Sequence, residues 1–189
     1  MNLFEGLEFN GQNFTSTPLQ YGEYDSCNFK NCNFEATKLN NFTFTECEFD
    51  NCNFSNVKLD HTSLKEVAFY DCKILGVDFS VCNPFLLEFN FHHCQLNFAS
   101  FYQLKINGTS FMSCNLEQVD FTRASLKNAQ FADCDLTNAQ FESTILEKAD
   151  LSSATRFSIN PENNNLTRAK FSLNELPGLL TKYNLVIES

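Results

Sequence analysis

The sequence predicts an all-β fold, a quadrilateral parallel β-helix closed by a short C-terminal helix. Three observations carry that expectation. From Ser110 to Leu151 every fifth residue is Phe or Leu: Phe111, Leu116, Phe121, Leu126, Phe131, Leu136, Phe141, Leu146 and Leu151. Two residues before each central residue sits a smaller one, such as Cys114, Val119, Ala124 or Thr144. The cysteines Cys32, Cys52 and Cys72 step by twenty, as do Cys94, Cys114 and Cys134. Neither a 3.6-residue helix nor a period-2 strand keeps a period of five on one face over forty residues, so the repeat needs its own architecture.

The step of twenty gives the number of sides. Four pentads per turn stack like on like, and Phe9, Phe29, Phe49 and Phe69 form one column that Phe91, Phe111 and Phe131 continue. Backbones of successive coils then pair at about 4.8 Å, and identical side chains lie over one another. About thirty central positions from Phe4 to Leu151 make roughly seven and a half coils, a rod of about 35 Å. The interior is narrow near the corners, so the flanking inward slot is expected to take only Ala, Cys, Ser, Thr or Val, with Phe42 an oversized exception. The remaining three residues of each pentad face water, which accounts for their Asn, Asp, Glu, Lys and Ser.

In chain order, residues 1–24 hold the central residues Phe4, Phe9, Phe14, Leu19 and Tyr24, but their flanking slot is irregular, and a ragged N-terminal cap is expected there. From Cys27 the slot is regular. After Phe79 the next central residue in register is Leu86, seven residues on, so two residues are inserted within 80–85, beside Pro84, which suits a corner or bulge. Past Leu151 the register runs formally through Arg156 and Pro161 to Leu166 and Phe171, with RFSINPENNN a loosened edge. The repeat region is thus placed at 1–171. In the segment 172–189, Ser172 and Glu175 read as a capping box, with a helix start near Pro177. That segment caps the open end of the core, either alone or while also forming a two-fold contact through Leu176, Leu179, Leu180, Tyr183, Leu185 and Ile187.

Composition narrows the function classes. The formal net charge of −10 opposes direct binding to nucleic acid phosphates, and it fits a solvated acidic surface or a basic partner. No apolar run is long enough for a membrane helix, and the start has neither a basic n-region nor an apolar h-region, so a cytoplasmic protein is expected. All nine cysteines fall in the inward slot and read as small core residues of a reducing compartment, not as zinc knuckles. His92 and His93 point outward while Cys94 points inward, so the three do not converge on one metal ion. No phosphate loop, nucleophile elbow or inward carboxylate pair is present. No enzyme activity, cofactor, metal or small-molecule substrate is expected.

The repeats CNFKN, CNFEA, VDFTR, ASLKN, AQFAD and CDLTN resemble the pentapeptide repeat family over nearly the whole chain. The resemblance implies the right-handed form of the quadrilateral β-helix. Within the family the chain is similar to the Qnr and MfpA quinolone-resistance branch, whose dimeric acidic rods occupy the DNA-binding saddle of type II topoisomerases. That implies a DNA mimic acting on DNA gyrase or topoisomerase IV, with a homodimer through the C-terminal end. A family scaffold without gyrase activity is the alternative. Plasmid-type Qnr proteins carry longer projecting loops, whereas this chain has a two-residue insertion.

Function is therefore sought on the surface. Glu46, Glu66 and Glu88 form one column of acids across the slip, and Glu48, Asp50, Asp71 and Asp133 share a neighbouring face. These are the candidate partner-binding acids, or else an ordinary solvated face. Phe85, Leu87, Phe98 and Tyr102 put apolar groups in outward positions near the slip, either as a partner-binding patch or as cover for the bulge.

Overall fold

The computed structural model describes residues 2–187. Thirteen short strands follow in chain order: β1 (Asn2–Glu5), β2 (Glu8–Asn10), β3 (Gly22–Asp25), β4 (Asn28–Lys30), β5 (Thr43–Thr45), β6 (Glu48–Asp50), β7 (Ser63–Lys65), β8 (Val67–Tyr70), β9 (Phe89–His92), β10 (Ser110–Met112), β11 (Gln130–Ala132), β12 (Asp150–Leu151) and β13 (Lys170–Phe171). They coil into a four-sided parallel solenoid of about eight turns. The first face carries the sheet β1-β3-β5-β7 and the second the nine-stranded sheet β2-β4-β6-β8-β9-β10-β11-β12-β13. The third and fourth faces are joined by single parallel bridges, such as Asn33↔Asn53 and Ser100↔Asp120.

The corners explain why the repeat is five residues long. The last residue of most pentads, among them Ser26, Glu46, Glu66, Asp71, Arg123 and Lys148, has φ between +50° and +59°. One left-handed residue turns the chain by a quarter at each corner. Asn and Asp tolerate that conformation best among residues other than glycine, which is one reason Asn recurs at the corners.

Packing follows the step of twenty. Phe29 stacks on Phe49 at 4.8 Å, Phe49 on Phe69 at 5.2 Å, Phe69 on Phe91 at 5.2 Å and Phe91 on Phe111 at 5.4 Å, all within 15° of parallel. Rings on adjacent faces meet edge to face instead, as Phe121 does with Phe131 at 5.8 Å and 88°. Both geometries suit the quadrupoles of the rings. The nine cysteines are free and buried. Each column thiol donates to a backbone carbonyl of the preceding coil, Cys52 to Phe29 and Cys72 to Phe49 at 3.3 Å each. Burial is the first cause that pushes the Cys47 and Cys82 thiols up to about 12.

Four expectations change. First, Leu86 is not a central residue: it is 64% exposed with φ +55°, and Phe85 is 66% exposed. The twenty-residue offset holds through Asn83, whose N–H donates to Thr62, and has become twenty-two by the Val67↔Phe89 pair. The extra residues thus lie in 84–87, where Pro84 brings no donor to a ladder. Phe89 fills the vacated interior and is fully buried, with its ring 5.3 Å from Phe79 and 5.2 Å from Phe91. Phe42, Phe89 and Leu104 are all buried in inward slots, so that slot takes large side chains where a neighbouring slot leaves room.

Second, the ragged N-terminal cap is shorter than 1–24. β1 and β2 pair in register with β3 and β4, and the irregular stretch falls between the Asn13↔Asn33 bridge and Gly22. Backbone pairing and the Phe4–Tyr24 and Phe9–Phe29 stacks hold the coil although its small slot is irregular. Third, Arg156 and Pro161 are exposed, and Phe157 and Ile159 enter the core instead. The left-handed corner arrives early, at Arg156 (φ +59°), which turns the next two apolar residues inward.

Fourth, the C-terminal segment forms two 3-10 turns, Leu176–Leu179 and Thr181–Tyr183, in place of one continuous helix. The Glu175 N–H donates to the Ser172 hydroxyl at 3.3 Å, one half of a capping box. The chain is then held to the last coil through Ile159 N–H to the Gly178 carbonyl at 2.9 Å, and those tertiary contacts set its geometry.

Candidate partner-binding surface

Glu46 and Glu66 occupy consecutive corners of the first face, with the Glu46 N–H donating to the Lys65 carbonyl. Glu88 continues the column: its carbonyl accepts from Val67, the residue that follows the Glu66 corner. All three side chains are exposed. On the second face Glu48 and Asp50 flank Phe49 in β6, opposite Ala68 and Tyr70 of β8. Asp71 is the corner residue after β8 and lies 3.6 Å from the His93 imidazole. Asp133 is a corner of the same face farther down the rod. The structure therefore brings the six upper acids onto two adjoining faces and leaves Asp133 apart.

Charge is distributed unevenly along the rod. Residues 1–88 hold 13 of the 23 acids and 5 of the 13 bases, a net of −8 against −2 for the remainder. Among the described residues, every Lys or Arg ion pair lies in the second half: Lys127–Glu147 at 3.0 Å, Lys170–Asp150 at 2.9 Å, Arg156–Asp135 and Lys182–Glu162. A hydrogen bond from Ser152, and then one from Lys170, hold the Asp150 carboxyl down at about 2. Desolvation is the largest single influence on Asp135 and raises it, but the hydrogen bonds from Arg156 and Thr137 together outweigh it and the carboxyl stays below its ordinary value. Among the described residues no carboxylate of the first half has a Lys or Arg within ion-pair distance, and only Asp71 has an imidazole beside it, so their field extends into solvent.

The apolar groups near the insertion do not form one patch. Phe85, Leu86 and the half-buried Leu87 sit on the first face, Phe98 at the corner between the third and fourth faces, and Tyr102 on the fourth. No ring pair joins them among the described residues, and the Tyr102 hydroxyl accepts from Arg123 at 3.4 Å. At the other end Leu179 packs against the core, while Leu176, Leu180, Tyr183, Leu185 and Ile187 are exposed. Lys182 lies 4.7 Å from the centre of the Tyr183 ring, and the Tyr183 hydroxyl donates to Glu162 at 2.9 Å.

No group of three His, Cys, Asp or Glu among the described residues is arranged to hold a metal ion. No helix among them is long and apolar enough to cross a membrane. Two surface hollows, of about 330 and 320 Å³, flank Leu87 and Lys105 below the bulge.

A four-sided rod of five-residue repeats, with its side-chain freedom confined to the outside, defines the class as a quadrilateral parallel β-helix. The family model for the pentapeptide repeat region matches residues 18–85 and 83–151, and the chain belongs to the pentapeptide repeat family. No curated protein matches the chain. Among solved structures it is similar to two trypsin-treated variants of QnrB1, a plasmid-mediated fluoroquinolone resistance protein. The first has a TM-score of 0.74 at 12% identity, over 100% of this chain and 92% of that one. The second has a TM-score of 0.64 at 12% identity, over 99% and 100%. HetL, from the cyanobacterium Nostoc sp. strain PCC 7120, aligns at a TM-score of 0.46 and 18% identity over 89% and 86%. Likeness at such identities is likeness of fold.

Proposed function

We propose that the chain is a non-enzymatic acidic rod that binds a basic protein surface, most specifically the DNA-binding cleft of DNA gyrase or topoisomerase IV, as a mimic of DNA. The observation that supports this reading best is the unneutralised first half of the rod, with Glu46, Glu66 and Glu88 on one face and Glu48, Asp50 and Asp71 on the next. Carboxylates held on a rigid coil at a repeat of about 4.8 Å meet a basic cleft with the backbone already ordered, so only side-chain freedom is lost on binding. A cytoplasmic homodimer through Leu176, Leu180, Tyr183, Leu185 and Ile187 would join two rods end to end and place the two acidic halves at its far ends.

A second reading is a protein-interaction scaffold without gyrase activity. The exposed Phe98 and Tyr102 favour it, since single apolar side chains on a polar rod suit a protein surface better than a cleft built for DNA. A gyrase supercoiling assay, with and without ciprofloxacin, separates the two. The mimic inhibits supercoiling or protects it from the drug at about 10 μM protein, and absence of both effects leaves the scaffold reading.

A further inference from the structure

The first face carries a pattern that the acidic column alone does not show. Its corner column reads Ser26, Glu46 and Glu66, then Gly108, Asn128, Lys148 and Arg168, and on the bulge coil between them, where Leu86 is the left-handed residue, Glu88 lies level with Glu66 and extends the acidic run. The lower half is one continuous ladder: Gly108 donates to the Lys127 carbonyl, Asn128 to Glu147 and Lys148 to Thr167. The face is therefore acidic above the insertion and basic below it, on a protein whose net charge is −10. Between the halves stands the bulge, with Phe85 and Leu86 as an exposed apolar ridge. Immediately below the ridge is a trough. The first-face sheet stops at β7, no bridge joins 84–87 to 104–108, and pairing resumes at Lys105↔Ser125. Its two hollows of about 330 and 320 Å³ lie on either side of Leu87 and Lys105.

We infer that the first face is self-complementary and that its partner is a second copy of this chain, packed face to face with the rod reversed. A two-fold axis along the strand direction, midway between the bulge coil and the 104–108 coil, reverses the rod and keeps the strand direction, so the corner column of one copy faces the same column of the other. Counting outward by coils, Glu88 comes level with Gly108, Glu66 with Asn128 beside Lys127, Glu46 with Lys148, and Asp25–Ser26 with Arg168. Glu46 and Lys148 each lie two and a half coils, about 12 Å, from the axis. The Phe85–Leu86 ridge of each copy falls over the trough of the other. Every contact occurs twice, which doubles the gain from each complementary pair and the loss from each reversed one. One like-charge pair is brought level, Lys65 with Lys127. Lys127 is already paired with Glu147 at 3.0 Å, which lowers the cost of that approach.

This association does not use the C-terminal end and stands whether or not the chain binds a topoisomerase. It buries the Glu46–Glu66–Glu88 column and leaves the second-face acids Glu48, Asp50 and Asp71 free, so a basic partner that needs the first face competes with the second copy.

Sedimentation of the full chain tests it. The association constant falls about tenfold or more between about 20 and 500 mM salt, as expected for exposed charge pairs. Glu46→Lys or Lys148→Glu alone weakens self-association by about tenfold. The two substitutions in one chain restore it to within about threefold, and the two single variants mixed together associate more tightly than either alone. Phe85→Ser with Leu86→Ser abolishes association while leaving the circular dichroism and melting temperature unchanged. A chain that stays monomeric up to about 1 mM at low salt overturns the inference. So does self-association that ignores Glu46→Lys and salt but is lost on Leu180→Asp, because that contact is the C-terminal one.

Discussion

Phe89 packs its ring 5.3 Å from Phe79, in a slot that the same face fills with Cys27, Cys47, Val67, Thr109 and Ala129 on other coils. It fits because Leu86, three residues earlier, has left the core. The two positions therefore have opposite sensitivities. Phe89→Ala empties a fully buried site and costs about 3–5 kcal/mol, whereas Leu86→Ala changes stability by less than about 0.5 kcal/mol. Denaturant midpoints of the two variants check this. Equal losses would mean that Leu86 is inside.

The buried thiols are inert in the folded protein. A thiol reagent modifies none of the nine cysteines under native conditions and all nine in denaturant. Burial raises the Cys47 and Cys82 thiols from the ordinary 9.0 to about 12. With the folded value above the unfolded one, their contribution is complete below pH 9 and is lost as pH rises from 9 towards 12. Cys47→Ala flattens the alkaline part of the stability profile, and an unchanged slope would contradict the assignment.

At the acid end the sign reverses. Asp150 is held at about 2 by Ser152 and Lys170, below its ordinary 3.8, so its contribution is present above pH 4 and disappears as pH falls towards 2. Asp150 is half-buried and its ion pair with Lys170 is open to solvent on the Lys170 side, so screening keeps the effect small. Asp150→Asn is less stable than the native chain at pH 6 and equal to it at pH 2, as read from urea midpoints.

Gly178 locks the end of the rod. A Cβ there would lie 2.4 Å from the Phe157 carbonyl oxygen and 2.7 Å from its ring. Gly178→Ala therefore pushes the terminal turns away and breaks the bond from Ile159 N–H to the Gly178 carbonyl. Hydrogen exchange at Ile159 accelerates strongly while exchange at Leu116, about two turns farther inside the ladder, does not change. Equal rates at Ile159 in both proteins would show that the terminal turns do not close the core.

Most of the rod was legible because each coil repeats the constraint of its neighbour. Phe111, Leu116 and Phe121 are fully buried, and the step of twenty in the cysteines is the stacking of the coils. Reading failed where one residue substitutes for another across positions. Leu86 matched the register and Phe89 did not, yet filling the interior volume decided between them. The same holds for Arg156 against Phe157 and Ile159, where an early corner moved the inward positions. The terminal 3-10 turns depend on contacts with Phe157 and Ile159, which local helix signals at Ser172 and Pro177 do not contain. The acidic surface was legible as columns. The uneven neutralisation of charge along it required the ion pairs of Lys127, Arg156, Lys170 and Lys182.

The central claim, that first-half carboxylates dock the rod into a basic cleft, is tested most directly by binding to immobilised gyrase at low and high salt. Docking through these carboxylates gives saturable binding by the native chain that weakens about tenfold or more as salt rises from about 50 to 500 mM. A Glu48→Lys, Asp50→Lys, Asp71→Lys variant with a native melting temperature shows no measurable binding. Absence of binding by the native chain, or equal binding by the charge-reversed variant, would contradict that claim.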